Sequence, residues 1–256
     1  MPASGSRGHA ARRAGQAPSP CRSLDPSTPP APSAGRSGRP SASFAVNSYE
    51  PLIDDAVVAG ELDGQRFVVL RVPADVARRF DTLKQTVRTR LSGLPVSYPA
   101  RAHVTLCRFA AGADLGTVQD LARTWAASTP PLSIDAERPG TFPPPFQVVF
   151  VGVRKTPELF TALASLRRAA EERGIAQATA IPPEEWIFHL SLAYCASLSA
   201  QAWARVTRVV GALPAADARG VVHEAEVVAF DEGREHSGGV FPLSAAGSWS
   251  SPAISE

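Results

Sequence analysis

Two short segments hold the residues best suited to chemistry: His103-Val104-Thr105-Leu106 and His189-Leu190-Ser191-Leu192. Side chains of an extended strand alternate between its two faces. His103 and Thr105 then share one face, with Val104 and Leu106 on the other. His189 and Ser191 are separated in the same way from Phe188, Leu190 and Leu192. Each strand offers one imidazole and one hydroxyl to a polar surface and an apolar side to a core. Two imidazoles with pKa near ~6.5 can hold opposite protonation states near neutrality, one as base and one as acid. The hydroxyls supply donors for charge that grows on phosphoryl oxygens. This inventory suits the opening of a cyclic phosphate by acid–base catalysis and calls for no metal and no cofactor.

One His-x-Thr strand alone reads best as a satisfied structural histidine; the duplication changes that. Arg66 is followed by the apolar run Phe67-Val68-Val69-Leu70, a buried strand. Pro73 and Asp75 open a helix with Val76, Phe80, Leu83, Val87 and Leu91 at steps of three and four. The first histidine strand follows, then a helix through Leu115, Val118, Leu121, Ala122 and Trp125, and a strand around Leu132 to Ile134. The second half repeats the order. Val148 to Val153 is a strand, and Thr156-Pro157-Glu158 opens a helix with Thr as cap. Leu159, Leu163 and Leu166 form its stripe, and Gly174 stops it. The second histidine strand comes next, then a helix capped by Ser199 and closing strands at Val221 to Phe230 and Gly239 to Leu243. The two histidines stand 86 residues apart (189 − 103), about half of the patterned region. The expectation is an α+β protein of two similar lobes, roughly 60–135 and 140–245, around a central cleft. Of the remaining histidines, His9 lies in the N-terminal stretch, His223 begins a late strand and His236 falls in a Gly-rich turn; all three read as non-catalytic.

Composition narrows the function classes. The 256 residues are 44% hydrophobic, enough for a substantial core. Residues 1–45 are Ala, Ser, Pro, Gly and Arg with few large apolar side chains, a composition expected to be disordered. Val46 is a candidate alternative first residue, and 46–256 is expected to be one bilobal domain. Six arginines against Asp25 place +5 in residues 1–40, so the net +2 leaves −3 on residues 41–256. That balance argues against a long duplex-binding surface and leaves room for a small local cationic pocket. Cys21, Cys107 and Cys195 form neither a disulfide framework nor a zinc signature. Odd, unpaired cysteines fit a reducing setting, and no apolar run is long enough to cross a bilayer. The N-terminal stretch is Arg- and Ser-rich like an organellar transit peptide, but its prolines oppose the amphipathic helix such a peptide needs. A cytoplasmic monomer with no obligate protein partner and no membrane contact is the expectation.

The twin strands, with Phe67-Val68-Val69-Leu70-Arg71-Val72-Pro73 ahead of them, resemble the two-histidine (2H) phosphoesterase superfamily. That superfamily includes the 2′-5′ RNA ligase-like proteins and cyclic phosphodiesterases, and the resemblance runs from about Arg66 to Leu243. It implies a bilobal, duplicated 2H phosphoesterase fold, with one antiparallel-rich sheet and flanking helices per lobe. It also implies a metal-independent phosphodiesterase, with His103 as proton donor, His189 as proton acceptor, and Thr105 and Ser191 binding phosphate. The partner would be a nucleotide or an RNA terminus bearing a cyclic phosphate. Around the second motif, Glu184-Glu185-Trp186 and Ala193-Tyr194-Cys195 stand where RNA ligase-like relatives carry basic residues. That favours small cyclic phosphates over tRNA or long RNA. The alternatives are a non-catalytic nucleotide- or RNA-binding module and a reversible 2′-5′ RNA ligase.

Other residues are weaker candidates. Arg101 shares the face of His103 and is a candidate phosphate contact. Phe142 and Phe146 flank Pro143-Pro144-Pro145; one could stack on a base, although a loop anchored by two buried aromatics is the favoured reading. Cys107 falls on the His103 face by alternation and reads as a small buried cysteine, not a nucleophile. A metal site built from both histidines and Asp231 lacks ligand spacing.

Overall fold

In the computed structural model the described residues are 49–53, 55–195 and 198–244. The N-terminal stretch 1–45 lies outside them. Local sequence signals set most element boundaries. A short helix α1 (Ala56–Glu61), capped by Asp55, precedes the apolar strand β1 (Arg66–Arg71). Helix α2 (Ala74–Arg90) follows Pro73 and buries Val76, Phe80, Leu83 and Val87, the stripe expected from their spacing. Next come β2 (His103–Phe109), α3 (Leu115–Ala127), β3 (Leu132–Phe142) and β4 (Val148–Val153). In α4 (Pro157–Glu172) the Thr156 hydroxyl accepts from the Leu159 amide, and Gly174 takes a φ of 67° just beyond the helix. β5 (His189–Tyr194), α5 (Ala200–Gly211, capped by Ser199), β6 (Ala218–Val222), β7 (Glu224–Asp231) and β8 (Arg234–Pro242) complete the chain.

The strands form two four-stranded sheets, ordered β2-β1-β7-β8 and β5-β4-β3-β6, with every neighbouring pair antiparallel. The fold is the α+β duplication expected from the sequence, but the sheets exchange strands across the expected lobe boundary. β3, expected to close the first lobe, pairs with β4 and β6 in the second sheet. β7 and β8, expected in the second, complete the first: β7 pairs on β1 and β8 on β7. The single closing strand expected from Val221 to Phe230 is two strands in different sheets, and His223 is the one residue between them. His236, expected in a turn, lies on β8, where its imidazole meets Asp231.

One large core joins the two sheets to the helices. α2 packs on β5 and β6, α3 on β1, β7 and β8, and α4 on β2 and β3, so helices of each half serve strands of the other. Trp125 of α3 ties onto α4 by donating to Ala162 O and Ser165 Oγ at 3.1 and 3.0 Å. A smaller cluster covers the opposite face of the first sheet: Leu52, Ile53 and Ala59 pack on Phe67, Val69, Val228 and Phe230. β1 and β7 are consequently buried on both faces. β4, by contrast, alternates buried and half-buried residues because one face of the second sheet is open.

The contact of α2 with β6 shows how closely the halves interlock. Gly220 faces the core opposite Ile134, and a Cβ there would run into the Pro73 ring at the start of α2. Gly220→Ala should destabilise the protein by about 1–3 kcal/mol, measured as a shift in urea midpoint at unchanged m-value.

Candidate active site

β2 and β5 are the edge strands of their sheets and lie against one another. Their pairings with the inner strands match position by position. Arg71 opposes His103 and Gly152 opposes His189; Val69 opposes Thr105 and Phe150 opposes Ser191. Both ladders then slip by one residue at the same place, between Val68 and Val69 and between Val149 and Phe150. A bulge inserts an unpaired residue and reverses the alternation beyond it. Leu106-Cys107 and Leu192-Ala193 therefore both turn into the core, and Arg108 and Tyr194 turn onto the histidine face.

This corrects the placement of Cys107. Its thiol lies in the core, 3.8 Å from Gln177 Oε1, and burial pushes its pKa up to about 12. A thiol so hard to ionise is no nucleophile, in line with its reading as a small buried cysteine. The same bulge brings in two residues that alternation misses. Arg108 sits over the Phe67 ring at 5.3 Å and donates to Gln65 Oε1 at 2.8 Å. Its Nε is buried without a partner, and among the described residues no carboxylate pairs with it. The Tyr194 phenol hydrogen-bonds Ser191, and burial raises its pKa. Two adjacent apolar residues after each motif, Leu106-Cys107 and Leu192-Ala193, are the one sequence signal of these bulges.

The contact of β2 with β5 brings the two imidazoles near enough for a charge on His189 to act on His103, and Thr105 and Ser191 stand two residues beyond them on the same strands. Each ring is fixed alike. Nδ1 of His103 lies 3.3 Å from the Arg101 carbonyl, and Nδ1 of His189 lies 2.9 Å from the Ile187 carbonyl. A carbonyl only accepts, so Nδ1 carries the proton and Nε2 is left to exchange one. Burial is the main influence on both rings. It pushes His103 down to about 4, aided by the positive charges of Arg101 and His189 and opposed by the bond to the Arg101 carbonyl. His189 is also lowered, by burial first. For both rings burial favours the neutral imidazole in the free protein.

The walls beside the two histidines differ. On the first sheet Glu226, 2% exposed, receives Arg101 Nη2 at 2.8 Å and Ser237 Oγ at 3.3 Å, with Arg71 Nε at 3.7 Å. Arg101 also donates from Nε to Glu50 O at 2.7 Å. Its guanidinium is therefore engaged by protein groups beside His103. On the second sheet Phe142 and Phe150 stack with ring centroids 4.3 Å apart, and Phe142 meets the His189 ring edge-on at 4.9 Å. Gly140 and Gly152 leave the backbone bare beside them, and a Cβ on Gly140 would press on the Phe150 ring at 3.0 Å. Phe146 is 67% exposed on the preceding loop and takes no part, so the loop is not anchored by two buried aromatics. Asp231 is engaged by Arg66 and His236. No cluster of three or more His, Cys, Asp or Glu side chains that could hold a metal occurs among the described residues.

The family model of the 2′-5′ RNA ligase superfamily matches residues 72–234. Among solved structures, TT0787 of Thermus thermophilus is similar with a TM-score of 0.53 at 17% identity, over 70% of this chain and 97% of that one. LigT of E. coli gives 0.47 at 19% identity (71% and 95% covered). Usb1 of Kluyveromyces marxianus gives 0.45 at 12% identity (73% and 100% covered). No curated protein matches the sequence. No helix among the described residues is long and apolar enough to cross a membrane. The family match spans both histidine motifs and every element from α2 to β7. By that match the chain belongs to the 2′-5′ RNA ligase superfamily, among the 2H phosphoesterases.

Proposed function

We propose that the protein is a metal-independent phosphodiesterase that hydrolyses nucleoside 2′,3′-cyclic phosphates, with His103 as proton donor and His189 as proton acceptor. The observation that carries this reading is the pair of carbonyl-fixed imidazoles, each with Nε2 free and a hydroxyl two residues on. In the reaction, water attacks phosphorus and gives a proton to His189 Nε2. The bond from phosphorus to one ribose oxygen breaks, and that oxygen takes a proton from His103 Nε2. One water is consumed, a phosphomonoester is released, and exchange with solvent resets both rings. Thr105 and Ser191 donate to the non-bridging phosphoryl oxygens, and Tyr194 orients the Ser191 hydroxyl. Arg108, which no carboxylate pairs among the described residues, adds positive charge for an anion on this face. Arg101 acts at one remove through His103, because Glu226 holds its guanidinium. The exposed face of Phe142 and Phe150 offers a stacking surface for the base.

His103→Ala and His189→Ala should each lower kcat by about 10²–10⁴-fold on a 2′,3′-cyclic nucleotide at unchanged fold. Full activity should persist in a chelator. Unchanged cleavage in either variant would refute the site, loss on chelation would refute the metal-free mechanism, and binding without turnover at any pH would make the protein a nucleotide-binding module. Phe142→Ala should raise KM by about tenfold through loss of one stacking partner, with a smaller change in kcat.

The pH dependence follows from the depressed pKa values. One imidazole must be protonated in the free enzyme, and a lowered pKa moves that requirement to lower pH. kcat/KM should therefore peak below pH 6.5 and fall as pH rises. A peak at pH 8 in a pH–rate profile would contradict the burial-driven shifts.

A further inference from the structure

The duplication gives the cleft two equivalent walls, and only one is open. In the first sheet the positions equivalent to Phe150 and Val148 are Val69 and Phe67, by their pairing with the matching residues of the histidine strands. Phe67 and Val69 are 7% and 0% exposed because Leu52, Ile53 and Ala59 lie on them. The covering segment, residues 49–53 and 55–62, precedes the region matched by the family model.

The segment is tied down at several points. The Glu235 carboxylate accepts from the Leu52 and Ile53 amides at 2.6 and 2.9 Å and also from the Tyr49 hydroxyl. Arg101, adjacent to the first motif, holds Glu50 O and lies over the Tyr49 ring. Leu52 O accepts from Ala100 N at 2.8 Å, and Asp55 caps α1 while accepting from Ser97 Oγ. Removing it would bare Phe67, Val69, Val228 and Phe230 and leave a carboxylate without its three donors. It is a fixed wall of the cleft.

Of the cations on that side, only Arg108 lacks a carboxylate among the described residues, and it stands beside the position assigned to the cyclic phosphate. Arg101 is engaged by Glu226, Arg71 by Glu224 at 3.3 Å, and Arg66 by Asp231 at 2.6 Å. A second phosphodiester would find no room there and no counter-charge beyond the Arg108 guanidinium already used by the first phosphate, and phosphate-backbone binding depends on such charges.

We infer that residues 49–53 and 55–62 are a size filter that confines the substrate to a single nucleotide on the Phe142–Phe150 shelf and keeps a further nucleotide of an RNA chain out of the cleft. The inference rests on the cyclic-phosphate reading above and specifies its substrate class.

The test compares kcat/KM of the full-length protein on adenosine 2′,3′-cyclic phosphate and on a tetraadenylate ending in the same group. The mononucleotide should be favoured by about tenfold or more. Loosening the wall with Glu235→Gln, or with Leu52→Ala and Ile53→Ala together, should raise the tetranucleotide-to-mononucleotide ratio about threefold or more, with mononucleotide turnover within about twofold of the parent. Equal turnover of both substrates by the parent protein overturns the filter and leaves the cyclic-phosphate reading standing; this measurement needs no variant to fold. An unchanged ratio in folded variants overturns it as well. Turnover of neither substrate overturns the cyclic-phosphate reading, and the filter with it.

Discussion

An edge strand carries a row of backbone donors and acceptors that must be satisfied by something. Both histidine strands are edges, and each borrows partners from the opposite half. Tyr194 of β5 exchanges backbone hydrogen bonds with Ser97, at 2.8 and 3.0 Å, in the loop that leads into β2. The end of β2 is bridged by the loop that leads into β5, through Ala110 N to Ala176 O and Ala178 N to Arg108 O, each 2.9 Å. These short reciprocal pairings hold the two sheets side by side with their histidine faces toward one cleft. Without them the two motifs would be correct in sequence and unrelated in space.

The electrostatics of the cleft follow from that packing. The imidazoles are lowered by burial before any charge acts on them, and the backbone carbonyls that orient them are supplied by residues two positions earlier in the chain. The acidic groups near His103 are engaged elsewhere: Glu226 with Arg101, and Glu235 with the chain at Tyr49 to Ile53. A carboxylate left free beside the imidazoles would repel an anionic phosphate and hold one ring charged before substrate arrived. The protein avoids this by pairing its acids and keeping Arg108 unpaired with any of them among the described residues.

Much of this was legible in the sequence, and the exceptions share a cause. The stripes of α2 and α4, the caps Thr156 and Ser199, and the apolar runs of β1 and β4 are local patterns, and the structure follows them. His103, Thr105, His189 and Ser191 were legible because the motif recurs in a repeated unit. Strand exchange was not, since pairing of β7 with β1 joins residues far apart in the chain and leaves no periodic trace. The bulges were nearly visible: Leu106-Cys107 breaks the alternation, but a buried cysteine can be placed on either face by eye. The covering segment left an indirect sign in Ala225 to Phe230, an almost unbroken apolar run that asks for cover on both faces. The engagement of Arg101 leaves no local trace, because its partner Glu226 lies on a strand that pattern alone assigns to the other lobe.

The single-residue passage at His223 has a consequence for how the molecule is made. β6 ends at Val222 in one sheet and β7 begins at Glu224 in the other, so the first sheet cannot close until almost the whole domain has left the ribosome. During synthesis β1 must wait, with the apolar edge meant for β7 unpaired, through the addition of about 150 residues of intervening chain. A nascent chain in that state is a target for edge-to-edge association. The interleaving that makes one site from two repeats also removes any point at which the halves could be separated and fold independently.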